Sequence, residues 1–444
     1  MISDAQLPEL KDFRYLEEKI PVQRNELLAR LVVASENDNL PIHRWFRFKE
    51  SFSAQLLDQI LGIELPNLHG RLRLLDPFCG VGTVLLSAQQ SCRPGLSFEP
   101  IGIERNPFIG FVANTKAQWS LIEPGTLAKL SKRVVGHNGK TTSEIPVLTS
   151  LSTGRCVTRY VSGKLLSIRD AIREDGSGPE HDALLLGLAA CIEPLSKVRK
   201  DGRALRLVPS RKPRLIVPTL TEKWEEIKED CQSLKKRGTW PPLPRVIIGD
   251  GRAPSQLGID EGSIDLIVTS PPYPNNIDYS EVYKLELWLL GFVRTYDEFL
   301  ELRKSTVRSH PTSELTRVHP EFLRETKHGR LKRLFDPIFE RTESSDEKWR
   351  HRLLLGYFSD MWNSLKEQYR CLKRNGQAVI VVGNSLHGGR HLPYLIPTDL
   401  ALAMIAQRLG FCVDRVYVAR NLMRRLSGNH FLRESVLILR KTNG

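Results

Sequence analysis

Short apolar runs recur along the chain, and each stops at a polar or glycine-containing turn. The clearest are Leu74-Leu75, Ile101-Gly102-Ile103, Arg245 to Asp250, Ile264 to Thr269, Ala378 to Asn384 and Glu434 to Leu439. Runs of this length, without alternation, read as strands buried on both faces of a parallel sheet. Helical patterning lies between them. Thr83-Val84-Leu85-Leu86 opens a helix directly after a glycine-rich turn, Ala183 to Ile192 is a helical apolar patch, and Arg330 to Arg341 is helix-like. No run approaches the length of a membrane span. The opening Met1-Ile2-Ser3-Asp4-Ala5-Gln6 lacks the basic and apolar regions of a signal peptide, so a cytoplasmic protein is expected, associated with a bacterial nucleoid.

The strand ends carry the candidate chemistry, because ligands of open α/β sheets collect outside the carboxyl ends of the strands. After Ile264 to Thr269 comes Ser270-Pro271-Pro272-Tyr273. The prolines stiffen the turn and remove two backbone donors, leaving carbonyls free to accept. A hydroxyl, a proline carbonyl and an aromatic face at one rim suit a flat heterocycle bearing an exocyclic amino group. The same four residues also make an ordinary turn. Upstream, Asp76-Pro77-Phe78-Cys79-Gly80-Val81-Gly82-Thr83 leads from a strand into a helix whose first N–H groups would meet an anionic group. Glu104 follows at the end of the next strand, at the spacing of a carboxylate that takes ribose hydroxyls. Asp250 ends a third strand; it could accept from an adenine amino group or shape a turn beside Gly251.

Charge points to a polyanion. The 444 residues carry 65 Lys and Arg against 51 Asp and Glu, a net charge of +14. One basic cluster holds Lys197, Arg199, Lys200, Arg203, Arg206, Arg211, Lys212 and Arg214; a second holds Arg324, Lys327, Arg330, Lys332 and Arg333; a third holds Arg420, Arg424 and Arg425. Phosphate contact is the reading that explains them, with part of each cluster serving only as a solvated face. Cysteines at 79, 92, 156, 191, 231, 371 and 412 show neither CxxC spacing nor a disulfide framework, as expected in a reducing compartment. Histidines show no metal spacing, so no metal is expected. His310 and His319, each before a proline, read as surface residues.

Taken together, these segments resemble the amino-group S-adenosylmethionine-dependent DNA methyltransferases, which make N4-methylcytosine or N6-methyladenine. Asp76 to Thr83 is similar to their motif I, Glu104 to the acid of motif II, Gly249-Asp250 to motif III and Thr269 to Tyr273 to catalytic motif IV. His43 to Ser53 resembles motif X, while Leu372 to Asn384 and Glu434 to Leu439 resemble later strands of the same sheet. The resemblance implies a Rossmann-like, doubly wound, mostly parallel α/β sheet with an antiparallel C-terminal strand and inserted DNA-contacting regions. It implies S-adenosyl-L-methionine as cofactor, held by Phe52, Asp76, Phe78, Gly80, Gly82, Thr83, Glu104, Asn106, Asp250 and Ser270. Ser270, Pro271, Pro272 and Tyr273 would be the catalytic residues and duplex DNA the partner, with a restriction endonuclease acting separately on the same site. Serine in the first position leans toward cytosine N4, with adenine N6 still open. No Pro-Cys dipeptide occurs, which argues against carbon-5 methylation.

The expected organisation is a helical segment over 1–40, a methyltransferase domain over 41–118 and 244–442, an insertion over 119–243 that is the first candidate for target recognition, and a charged insertion over 296–347. So few residues follow Leu439 that no C-terminal recognition domain is expected. RNA guanine-N2 methyltransferases share a similar glycine loop but typically carry Asp where Ser270 stands. A DNA-binding protein with a decayed cofactor site is the other competing class.

Overall fold

The computed structural model describes residues 7–66, 68–91, 93–136, 143–201, 205–236, 238, 242–313, 317–343, 348–388, 393–422 and 430–442. Its large sheet has eight strands, numbered along the chain: β1 Val22–Arg24, β2 Gly70–Asp76, β3 Leu96–Glu104, β4 Arg245–Ile248, β5 Ile264–Thr269, β6 Leu372–Gly383, β7 Phe411–Asn421 and β8 Arg433–Lys441. Across the sheet they run β1-β7-β8-β6-β5-β2-β3-β4. Only β8 is reversed, pairing antiparallel with both β7 and β6; every other neighbouring pair is parallel.

The continuous apolar runs form this sheet because both of its faces are covered. In β6, Ala378, Ile380 and Val382 pack under the helices Lys348–Cys371 and Thr398–Arg408. Val379 and Val381 pack on the opposite face with the helices Leu56–Glu64 and Thr83–Gln90. The α/β class, the mostly parallel sheet and the antiparallel C-terminal strand are therefore as the sequence led us to expect.

The inserted regions are built into the cores. The 119–243 stretch forms four longer helices, Pro124–Val135, Arg159–Asp175, Pro179–Cys191 and Ile216–Lys235, and a hairpin of Val198–Lys200 with Leu205–Leu207. Leu186, Trp224 and Ile227 from these helices share one apolar cluster with Phe108, Trp45 and Trp288. Within 296–347, Phe322, Leu334 and Phe335 join the cluster of the sheet's other face, beside Phe13 and Leu16. The 1–40 segment is only partly helical: beyond the helix Leu10–Glu17 it supplies the edge strand β1. His310 is also not a surface residue. It is 2% exposed, with Nε2 3.0 Å from the Thr306 hydroxyl, and burial lowers its pKa. Among the described residues no helix is long and apolar enough to cross a membrane.

Candidate active site

β2 and β5 are neighbours, yet the chain leaves them in opposite directions across the sheet, through β3 to β4 and through β6 toward β8. That reversal opens a crevice at their carboxyl ends. Behind it, buried Asp76 accepts from the Thr269 hydroxyl at 2.7 Å and from Phe78 N at 3.1 Å, tying the two loops together. In front lies a cavity of about 300 Å³, within the range of small-molecule sites. Phe52, Phe78, Gly80, Glu104, Asn106, Asp250 and the whole tetrapeptide Ser270 to Tyr273 line it.

On one side, the Glu104 carboxylate accepts from Gly80 N at 3.0 Å and Asn106 N at 2.8 Å. A carboxylate has further lone pairs for hydroxyl groups of a ligand. Burial pushes its pKa up to about 7, and burial does the same to Asp76. Gly80 adopts φ +52°, and a Cβ there would lie 3.2 Å from the Phe48 ring, so a side chain would crowd the wall. Asn106 uses Oδ1 to cap the helix Pro107–Ala117, while its buried Nδ2 has no hydrogen-bond partner among the described residues. Of the two readings of Asp250, the structure shows the turn. The carboxylate closes it by accepting from Arg252 N at 2.9 Å, and it also lines the cavity. Burial would raise its pKa, but the Arg252 hydrogen bond and charge win and hold it low.

Three residues expected at the cofactor stand outside the cavity wall. Asp76 is the tie described above. Gly82, at φ +82°, begins the helix Thr83–Gln90 against Ala113, and Thr83 shares a 2.7 Å hydrogen bond with Ser51. Their contacts reach the cavity only through the loop and the 43–53 segment. That segment is itself held from several sides. Lys116, whose pKa burial lowers to about 7, donates to the carbonyls of His43 and Phe46; Asp230 accepts from Ile42 N and Trp45 Nε1; Tyr283 donates to Glu50 at 2.9 Å.

On the other side stands the tetrapeptide. Ser270 Oγ lies 3.4 Å from the Tyr273 hydroxyl, which donates to Glu434 at 3.0 Å. The Tyr273 ring rests on Gly383, where a Cβ would come within 2.9 Å of it. Among the described residues no donor reaches the Pro271 carbonyl, so it is available to accept. Nothing in the sequence pointed to Glu434 or to Arg420 as a cavity residue. Both sit inside strands, and only the register of β7 against β8 brings them to the cavity.

The basic clusters divide. Arg199, Arg206 and Lys212 are exposed, and Arg214 is exposed but paired with Glu222 at 2.6 Å. Lys197 is half-buried, and Arg211 donates to the Val198 carbonyl. Lys200 departs from the expected phosphate contact. It points inward on the hairpin, ion-paired with buried Glu286 and 4.4 Å from the Tyr283 ring centre. Arg330 is exposed, Lys332 pairs with Asp336, and Arg333 pairs with Asp12 at 2.8 Å. Arg203, Arg424 and Arg425 lie outside the described residues. Among the described residues no His, Cys, Asp and Glu group could hold a metal ion.

No protein-family model matches the chain. Type II methyltransferase M.BsoBI of Geobacillus stearothermophilus is 24% identical over 444 aligned residues, covering 90% of this chain and 84% of that one. Type II methyltransferase M.AvaI, of Nostoc sp. and of Anabaena variabilis, is 25% identical over 460 residues, covering 94% of this chain and 89% of the relative. The chain is a homologue of the type II methyltransferases.

Proposed function

We propose that the protein is a site-specific DNA methyltransferase that transfers a methyl group from S-adenosylmethionine to the exocyclic N4 of cytosine in duplex DNA, as the modification activity of a restriction-modification system. One observation carries the reading: Ser270 to Tyr273 faces the same cavity as Glu104, Gly80 and Asn106, in a chain similar to type II methyltransferases over most of its length. The cavity fits the cofactor. It offers a partly exposed carboxylate for ribose hydroxyls, an amide Nδ2 unpartnered among the described residues and a wall kept open by Gly80.

Bound S-adenosylmethionine would supply an electrophilic methyl group on a sulfonium. The chain's own residues act on the amine. Ser270 Oγ and the Pro271 carbonyl accept its two hydrogens, localising a lone pair otherwise delocalised into the ring. They also stabilise positive charge as it develops on nitrogen. Tyr273 stacks on the base, which must leave the duplex to reach the crevice. Seating base and cofactor in one cavity would supply proximity. Residues 119–243 are the candidate for reading the target sequence.

The test uses the purified full chain, S-adenosylmethionine labelled in its methyl group and unmodified plasmid, followed by digestion to nucleosides. N4-methylcytosine is the expected product. N6-methyladenine would move the assignment to adenine, and label entering tRNA but not the plasmid would overturn it.

A further inference from the structure

We infer that Arg420 is a phosphate-binding residue at the mouth of the cavity, gripping the sugar–phosphate backbone next to the base whose amino group reaches Ser270. The inference rests on the DNA-methylating function proposed above. Its own basis is a β-bulge. β7 and β8 pair Val418 with Ser435 and then Arg420 with Glu434, so Ala419 is an extra residue. In unbroken register Arg420 would face Arg433, which is fully buried and already bound to Asp399 and Glu17. The bulge instead sets Arg420 opposite Glu434 at the cavity, and re-aiming a side chain beside a site is what bulges do.

The Glu434 carboxylate is then shared. One oxygen accepts from Arg420 Nε at 2.7 Å and the other from the Tyr273 hydroxyl at 3.0 Å. The guanidinium is thereby pinned by one nitrogen beside the ring that would carry the base. Its two terminal nitrogens make no hydrogen bond among the described residues, and the side chain is 38% exposed. The other cations lining the cavity are engaged: Lys49 donates to the Lys200 carbonyl at 2.7 Å and Arg105 to the Ser305 hydroxyl at 2.9 Å. A planar fork fixed at one edge presents the other to two oxygens of one group, the geometry of a bidentate phosphate contact. A cofactor carboxylate has the same chemistry. The phosphate is favoured because Arg420 is fixed to Tyr273, across the cavity from Glu104.

The test compares wild type with Arg420→Met and Arg420→Lys, using a plasmid-derived duplex bound at a series of KCl concentrations and initial rates of methyl transfer. Arg420→Met is expected to reduce the slope of log affinity against log salt by about 0.9 and to raise KM for DNA roughly tenfold. Affinity for S-adenosylmethionine should stay within about twofold of wild type, by calorimetry. Arg420→Lys should keep the slope, and it decides the matter if the Met variant does not fold; a slope that falls with Lys overturns the inference. So does an unchanged slope in Arg420→Met, and so does a loss confined to cofactor affinity, which would put a carboxylate there. A wild-type chain that binds no duplex sinks the proposed function and this inference with it. Methylation by wild type, with a slope indifferent to Arg420→Met, sinks this inference alone.

Discussion

Among the described residues Ser270 Oγ makes one long hydrogen bond, 3.4 Å to the Tyr273 hydroxyl, so this oxygen is not consumed by the fold. If it acts as charge develops on the amine, Ser270→Ala should lower kcat by something like 10²–10³-fold with cofactor and DNA affinity nearly unchanged. Single-turnover rates beside binding measurements would show this, and a fully active variant would reduce the tetrapeptide to a turn. Tyr273→Phe is not expected to be silent, because the hydroxyl donates to Glu434. Loss of a hydrogen bond to a charged acceptor costs about 1–3 kcal/mol, on the scale of the stacking removed in Tyr273→Ala, about 1–3 kcal/mol. Glu104 brings pH in. Burial raises its pKa to about 7, and ribose hydroxyls favour the ionised form, so cofactor affinity should climb as pH rises through 7 and Glu104→Gln should flatten the climb. Stability moves the other way. With folded pKa values near 7 for Asp76 and Glu104 and ordinary carboxyl values when unfolded, the folded chain binds more protons from about pH 4 to 7. The ligand-free protein should therefore melt lower at pH 8 than at pH 5.5, and Asp76→Asn should narrow the gap.

Secondary elements were legible where one physical signal dominated. The strands that end in Asp76, Glu104 and Thr269 finish in runs buried on both faces, and those runs could be read directly although Arg73 and Glu99 lie earlier in two of the strands. β7 could not, since Asp414 and Arg415 interrupt it, and the three residues of β1 are too few to show a pattern. Glu434 and Arg420 stayed hidden as cavity residues because a register and a bulge bring them to the site, and neither is local in sequence. Lys200 misled for a related reason. Its neighbours Arg199 and Arg206 face out, and a hairpin's period of two turns Lys200 inward onto Glu286. Lys200→Met should therefore cost stability, about 3–5 kcal/mol for a buried carboxylate left unpaired, while leaving the salt dependence of DNA binding alone; the opposite pattern would restore its phosphate role. Gly383 offers a second test at this scale. Gly383→Ala puts a methyl 2.9 Å from a Tyr273 ring carbon, so the ring must tilt and its hydroxyl leave Glu434. Turnover should fall with cofactor affinity kept, and an unchanged rate would show that the ring's seat does not matter.

Across the whole molecule, the net charge of +14 predisposes the chain to polyanions, but many of the basic residues are already committed to carboxylates. Arg199 and Arg206 are not among them. They stand directly opposite each other on the hairpin, both exposed, with no ion pair among the described residues. Like charges in a facing pair are destabilising, and a phosphate between them turns that cost into attraction. The inner face of the same hairpin reaches the cavity wall, because the Lys200 carbonyl accepts from Lys49 and the Lys200 side chain holds Glu286. Phosphate binding at the hairpin would thus occur beside a residue of the cavity wall, Lys49. Replacing Arg199 and Arg206 together with glutamine should weaken binding to every duplex alike and lower the salt slope by up to about 0.9 for each phosphate no longer neutralised. The same change at Arg214, already spent on Glu222, should do less. Filter binding of one duplex across a series of KCl concentrations, for both variants and wild type, decides it: equal slopes in all three would return the hairpin to a solvated face and move the phosphate-binding residues elsewhere on the chain.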